Sequence, residues 1–349
     1  MQKKLRSPSI KDIAKLSGVS ISTVSNILNN KNGASKETKK RVLKIIEEHN
    51  YRRNTMAIGL RTRNTKIIGV IVPDIATPFT SQVVKGIELV ASERNYTTVL
   101  CCNYYDVKKE ENQVNMLFDL SVDGIIFFNG YDNSELIKRI KGEKPILLLD
   151  REIESEKLEI PSVLVNNISA VENAVNYLYK KGHKKIGFIT FGYENQTVVR
   201  NRFLGYCKGL KNNNIKYNPD YVINDEAGRL KEIDETYLFM KKYLKNKDLP
   251  TAFITISDFH AYGLLKALKE EKFSIPKDIS VIGFDNINFS NFVDPPLTTI
   301  KQPKLLMGKT GMNLLIDLIE RKRVKIKQIV LETNIIERNT VSSINSNKK

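Results

Sequence analysis

Residues 9–29 read Ser-Ile-Lys-Asp-Ile-Ala-Lys-Leu-Ser-Gly-Val-Ser-Ile-Ser-Thr-Val-Ser-Asn-Ile-Leu-Asn. Ser9 and Asp12 have the Ser-x-x-Asp spacing of a helix start, in which the Ser hydroxyl accepts from an early backbone N–H. Ile10, Ile13, Ala14 and Leu16 follow at near-helical spacing, and Gly18 supplies the left-handed residue at which a helix stops. Ser20 then caps a second helix, from Ile21 to about Leu28, with Val24, Ile27 and Leu28 turned inward. Two helices joined by so tight a turn form a helix-turn-helix. Ser35 opens a third helix over residues 36–49, whose inward face is Val42, Ile45 and Ile46. The second helix leaves Ile21, Ser22, Thr23, Ser25 and Asn26 outward. Such a short-side-chained face suits a DNA major groove, which admits one α-helix.

The charge distribution points the same way. Residues 1–66 hold sixteen Lys and Arg against four acids, a net +12, while the whole chain is +17. The other 283 residues therefore carry only +5. A basic head on a near-neutral body is the footprint of a module that binds a polyanion. A merely solubilising lysine-rich surface would be basic too; the hydroxyl-rich helical face separates the two readings.

At 349 residues the chain exceeds one ordinary core and implies two or three domains. Beyond Lys66, short apolar runs recur at 67–72, 97–102, 124–128, 145–149, 162–165, 186–190, 221–223, 251–256 and 279–284. Amphipathic helical stretches such as 80–94, 170–181 and 263–271 separate them. This alternation implies parallel sheets covered on both faces. A break near Asn166 divides them into two Rossmann-like lobes, able to close on a small ligand beyond the strand ends.

Several classes are excluded. No apolar run approaches the roughly 18 residues of a membrane span, and no hydrophobic stretch follows the basic N-terminus as in a secretory signal. Three cysteines, two of them adjacent, make neither a disulfide framework nor a metal spacing, which fits a reducing cytoplasm. Dinucleotide and Walker phosphate loops, the Gly-x-Ser-x-Gly elbow and His-Glu-x-x-His are all missing. His49, His183 and His260 are the only histidines. No catalytic residue, metal or cofactor is expected.

The run 9–29, with Ile68-Gly-Val-Ile-Val-Pro-Asp74 and Pro296-Leu-Thr-Thr-Ile-Lys-Gln302, resembles the lactose-repressor/galactose-repressor (LacI/GalR) family of bacterial regulators over nearly the whole chain. The resemblance implies an all-α helix-turn-helix head followed by an α/β periplasmic-binding-protein-like body of two Rossmann-like lobes. It also implies a homodimeric transcriptional repressor that binds a pseudo-palindromic double-stranded DNA operator. A small-molecule effector, a sugar or sugar phosphate, would set operator affinity. Ile21, Ser22 and Asn26 match the positions that read base edges; Thr23, Ser25, Asn29, Ser35 and Thr38 match positions that touch phosphates. Phosphate contacts fix register, whereas base-edge contacts specify sequence. Many relatives carry Arg at the Asn26 position, so this operator is expected to depart from the commonest half-site.

Residues 53–65 correspond to a linker whose hinge helix orders against the minor groove, with Asn54, Ala57 and Leu60 at the contact and Leu60 as the apolar wedge. Arg53 stands where the family usually has Pro, and Gly59 adds backbone freedom. For the effector, the resemblance selects Phe79 as an aromatic wall, Arg202 as a fork onto ligand oxygens and Asp285 as an acceptor from ligand hydroxyls. Gln196 and Val198 stand where the purine-responsive branch has Arg and Thr, which disfavours a purine. Ser257 sits where many sugar-responsive relatives have Asn, and its neighbour Asp258 reads as a helix cap. In the plainer alternative, Arg202 and Asp285 form a structural ion pair and Phe79 belongs to the core.

The expected organisation is a head at 1–52, the linker at 53–65, a first lobe of 66–165 with 297–322, a second of 166–296 with 323–338, and a polar tail at 339–349. Two other functions fit parts of the chain. One is a regulator whose effector is a protein partner, as in the carbon-catabolite branch. The other is a solute-binding protein, which the basic head opposes.

Asn26→Ala is expected to relax discrimination at one base position by about 1–3 kcal/mol, whereas removing a Lys or Arg elsewhere in the head weakens binding to all sequences alike. Competition with singly substituted duplexes separates the two patterns.

Overall fold

A computed structural model describes residues 8–29, 32–51, 64–131, 133–153, 159–192, 196–225, 233–322 and 328–344. The chain divides into two units, Met1–Thr65 and Lys66–Lys349. In the smaller unit, α1 (Ile10–Ser17), α2 (Ile21–Leu28) and α3 (Lys36–Glu48) follow their caps. The Ser9 hydroxyl accepts from the Asp12 N–H, and the Asp12 carboxylate returns the bond to the Ser9 N–H at 2.8 Å. Gly18 ends α1 at φ 63°, and Ser20 and Ser35 cap the next two helices, each accepting at 3.1 Å. Helices this short are unstable alone. Ile13, Ala14, Val24, Ile27 and Val42 form the shared core that holds them.

The larger unit holds two sheets of six strands. The first contains β1 (Ile67–Val72), β2 (Thr97–Cys102), β3 (Gly124–Phe128), β4 (Ile146–Leu149), β5 (Ser162–Val165) and β11 (Gln328–Leu331), in the order β11-β5-β4-β3-β1-β2, all parallel. The second contains β6 (Ile186–Phe191), β7 (Val222–Asp225), β8 (Ala252–Thr255), β9 (Ser280–Asp285), β10 (Thr298–Lys301) and β12 (Asn334–Ile336), in the order β12-β10-β9-β8-β6-β7. Only β12 runs antiparallel to its neighbour. The apolar runs of the sequence fall on β1 to β9. Helices α4 (Pro78–Glu93), α5 (Val107–Asp119), α6 (Ser134–Ile140), α7 (Asn167–Lys180), α8 (Thr197–Asn212), α9 (Ile233–Tyr243), α10 (Asp258–Glu270) and α11 (Lys304–Ile319) connect them. Among the described residues, no helix is long and apolar enough to cross a membrane.

The lobe boundaries need correction at three places. Residues 297–301 do not return to the first lobe: β10 pairs with β9 from Thr298↔Ile282 to Lys301↔Asp285, and the crossing comes at Gln302-Pro303. Pro295-Pro296 instead marks the turn into β10. The next crossing lies between β11 and β12, not near residue 322, because β11 adds to β5 in the first sheet. Residues 339–344 are no free tail. The Thr340 hydroxyl donates to the Val281 carbonyl at 2.7 Å and accepts from the Thr298 N–H at 2.8 Å, and Val341 joins the core.

One seam carries the first lobe. α11 packs along α4, and Gly308 and Gly86 let the two backbones meet: a Cβ on Gly308 would overlap the Val83 carbonyl oxygen, and one on Gly86 the Leu305 carbonyl. Gly308→Ala is therefore expected to destabilise the protein by about 1–3 kcal/mol despite its better helix propensity. Thermal or urea denaturation reads the difference.

Candidate effector cleft and DNA-reading face

In the head, α2 presents the face that the sequence singled out. Ile21 is 44% exposed, and Ser22 and Asn26 are exposed beside it, while Val24 and Ile27 are buried behind them. The hydroxyls gather at helix starts. Ser20 Oγ lies 2.7 Å from Ser22 Oγ and 2.8 Å from Thr23 Oγ1; Ser35 Oγ lies 2.8 Å from Thr38 Oγ1. A helix N-terminus with unpaired N–H groups and hydroxyls is suited to a phosphate oxygen. Asn29 Nδ2 donates back to the Ser25 carbonyl at 2.8 Å, so these two form a local tie at the end of α2. Asn54, Ala57 and Leu60, with Arg53 and Gly59, lie outside the described residues.

In the body, the carboxyl ends of both sheets face one cleft of about 760 Å³, open mouth included. The first lobe contributes Phe79 and Thr80 from the start of α4, with Tyr105 and Asn129 from strand ends. The second contributes Phe191, Gln196, Arg202, Ser257, His260 and Asp285. All five positions chosen from the sequence for an effector line it. Phe79 has both roles weighed for it: one side faces the cleft, and its ring packs 5.7 Å from that of Phe128.

Burial and charge shape the floor. Arg202 is 6% exposed and stacks 3.7 Å over the Phe284 ring; its Nε donates to Asn167 Oδ1 at 2.9 Å and its Nη1 to the Ile256 carbonyl at 2.8 Å. No direct ion pair joins it to Asp285, whose carboxylate accepts from Gln302 Nε2 at 2.8 Å. The structural-pair alternative fails on that geometry. Burial raises the Asp285 pKa, while the nearby Arg202 charge pulls it back. Asp285 holds φ 114°, a conformation rare for a residue with a side chain, and such strain collects at functional sites.

Asp258 is not a helix cap. Its buried carboxylate accepts from the Ile287 N–H at 2.9 Å, Ser290 Oγ at 2.6 Å and Thr299 Oγ1 at 2.5 Å, tying α10 to the chain around β9 and β10. Ser257 Oγ bonds His260 Nδ1 at 2.7 Å, and the His260 ring stacks on Phe191 at 5.3 Å.

Residues 9–54 match the lacI family of bacterial regulatory proteins, and residues 175–341 match a periplasmic binding protein-like domain. The transcriptional regulator RegA of Clostridium acetobutylicum is 36% identical over 334 residues, covering 95% of this chain and 98% of RegA. The chain belongs to the LacI family. A lac repressor dimer bound to operator and the anti-inducer ONPF matches its fold with a TM-score of 0.85 at 26% identity, over 97% of this chain and 100% of that one. A LacI-family regulator of Enterococcus faecium with bound ribose matches with a TM-score of 0.70 at 27% identity, over 80% of this chain and 100% of that one. This LacI-family protein is thus a DNA-binding transcriptional regulator with a ligand-binding regulatory body.

Reading by family positions missed Asp150. It directly follows β4 at φ 48°, is fully buried, and neither carboxylate oxygen has a hydrogen-bond partner. Burial pushes its pKa from 3.8 to about 7; Arg202 opposes this, and Asp285 and Glu152 add to it. The only sequence signal is an acid directly after the apolar run Ile146–Leu149. Tyr105 and Asn129 were missed likewise, with φ 59° and 49° at the ends of their own strands.

An acid whose pKa is higher folded than unfolded binds its proton more tightly when folded, so native stability falls as pH rises between the two values. Here that window runs from 3.8 to about 7. Asp150→Asn is expected to melt higher than the parent at pH 8, with the gap level above pH about 7 and narrowing from there down to pH about 4. Melting curves across that range test it; a gap independent of pH contradicts it.

Proposed function

We infer that the protein is a dimeric, cytoplasmic repressor whose operator affinity is set by an unphosphorylated sugar held between the lobes. The observation that carries the effector class is the polar set at the cleft: the buried Arg202 guanidinium and the buried Asp285 carboxyl on its lining, the buried Asp150 carboxyl near both, and aromatic walls at Phe79 and Phe191. Sugar hydroxyls donate to carboxylates and accept from Arg, and the apolar faces of the ring suit aromatic walls. A phosphate would bring further negative charge beside Asp150 and Asp285, against a guanidinium already bonded twice. The ribose-bound relative supports the same class.

At the head, Ile21, Ser22 and Asn26 read bases while Thr23, Ser25, Asn29, Ser35 and Thr38 hold phosphates. Asn26 is suited to a bidentate contact with adenine and Ile21 to a thymine methyl. A two-fold dimer then reads a pseudo-palindromic operator, as the operator-bound lac repressor dimer supports. The effector acts by population shift: it binds one lobe arrangement better, and operator affinity changes by a coupling free energy of roughly 1–3 kcal/mol.

The test is the melting temperature of the full chain against pentoses, hexoses, their phosphates, nucleosides and amino acids. A ligand at 100 times its Kd adds about 2.7 kcal/mol and moves the midpoint by a few degrees. An unphosphorylated sugar is expected to score, and Asp285→Asn and Arg202→Ala to lose the shift. A shift confined to sugar phosphates rejects the charge argument. No shift with a folded sample favours a protein partner.

A further inference from the structure

Helix α11 touches the effector cleft's acid at one end and the entrance to the body at the other. At its first residue, Lys304 Nζ donates across the lobe boundary to the backbone carbonyls of Asp285 and Asn286. Those two residues have φ of 114° and 51°. Successive left-handed residues with side chains persist only where the surroundings hold them. Lys304 is one such hold; the Gln302 amide on the Asp285 carboxylate and the Arg338 guanidinium on the Asn286 side chain, at 2.7 Å, are others.

The sixteen residues of α11 span about 24 Å. Past the far end, the Glu320 carboxylate lies 2.8 Å from Arg94 and 3.9 Å from Lys66 Nζ. Lys66 is the first residue of the body and follows directly on the unit Met1–Thr65. It has φ 57°, its N–H donates to Asp123 Oδ2 at 2.8 Å, and its ammonium bonds Tyr96 Oη at 3.0 Å. Between these ends α11 is seated against α4 through Gly308 and Gly86, where backbone meets backbone. A closely packed seam of that kind moves as a unit rather than deforming gradually.

We propose that Lys304 is a positioning residue that couples the effector acid Asp285 to the DNA-binding linker: it clasps the left-handed Asp285-Asn286 backbone to α11, and α11 carries displacement of that backbone to Glu320 and Lys66. The coupling rests on Asp285 as an effector contact and on operator binding by the head. An ammonium group suits the place because one donor group serves two carbonyls; a side chain of similar length without a donor, such as Met, holds neither.

A thermodynamic cycle that needs no effector tests the coupling. The wild-type full chain first selects a duplex from a random-sequence DNA pool. Affinity for that duplex is then measured for the wild type, Lys304→Met, Glu320→Gln and the double variant, with Lys304→Arg as the conservative control and a melting curve for each. Lys304→Met is expected to change affinity roughly 5-fold or more, and to change it less than about 2-fold in the Glu320→Gln background. Lys304→Arg is expected to keep the parental affinity. Equal effects in both backgrounds overturn the coupling, as does an unchanged affinity in folded Lys304→Met. Should that variant fail to fold, Lys304→Gln, whose amide reaches one carbonyl at most, enters the same cycle under the same criteria. If the wild type enriches no duplex, operator binding itself fails and the coupling falls with it.

Discussion

Neither Gly86 nor Gly308 has room for a Cβ, and the body is organised around that contact. Two helices whose backbones touch leave no slack for side chains to absorb a shift, so α4 and α11 behave as one element. The element has two working ends. Phe79 and Thr80 at the start of α4 face the cleft, while Arg94, just past its end, bonds Asp317 and Glu320 of the partner helix. Part-exposed ion pairs of this kind contribute little stability singly. Their geometry comes from the seam beneath them.

The cleft shows what parallel sheets do with charge. Each parallel strand ends with its carboxyl terminus toward the gap, so the residue after β4 and the last residue of β9 are carried to the same place from different lobes. Asp150 and Asp285 arrive there buried, and Arg202 arrives with its Nε and one Nη1 donor committed to Asn167 and the Ile256 carbonyl. Removing carboxylates from water without giving them donors is costly. Asp150 is in that position, with a donor on neither oxygen, whereas Asp285 keeps the Gln302 amide.

The head works by different rules. Its helices are too short to persist alone, and a small core around Ile13, Val24 and Val42 holds them. Ser9, Ser20 and Ser35 begin each helix, and a high positive charge covers the unit. Because caps and a compact core set α2 in place, its outer residues are not needed for folding. That division of labour separates Val24 and Ile27 from Ile21, Ser22 and Asn26 on one eight-residue helix.

Local chemistry is legible in the sequence wherever neighbours along the chain decide the outcome. The caps at Ser9, Ser20 and Ser35, the stop at Gly18 and the runs that became β1 to β9 all depend on residues a few positions apart. The five cleft positions were legible for another reason, the family resemblance, and their convergence was not written in any local pattern. Tertiary structure alone decided the rest. β10 joins β9, and β11 joins β5, through pairings between distant segments, so Pro295-Pro296 misled and Pro303 marked the crossing. Asp258 looks like a cap from its neighbours, yet its partners Ile287, Ser290 and Thr299 lie far along the chain. Asp150 is an ordinary acid after an apolar run until two lobes close over it and leave both oxygens without donors. The sequence by itself determined β1 to β9, the helices of the head and the family. Which strand pairs with which, and which buried charge goes unpaired, depends on contacts between segments remote in sequence, and only the folded chain brings those segments together.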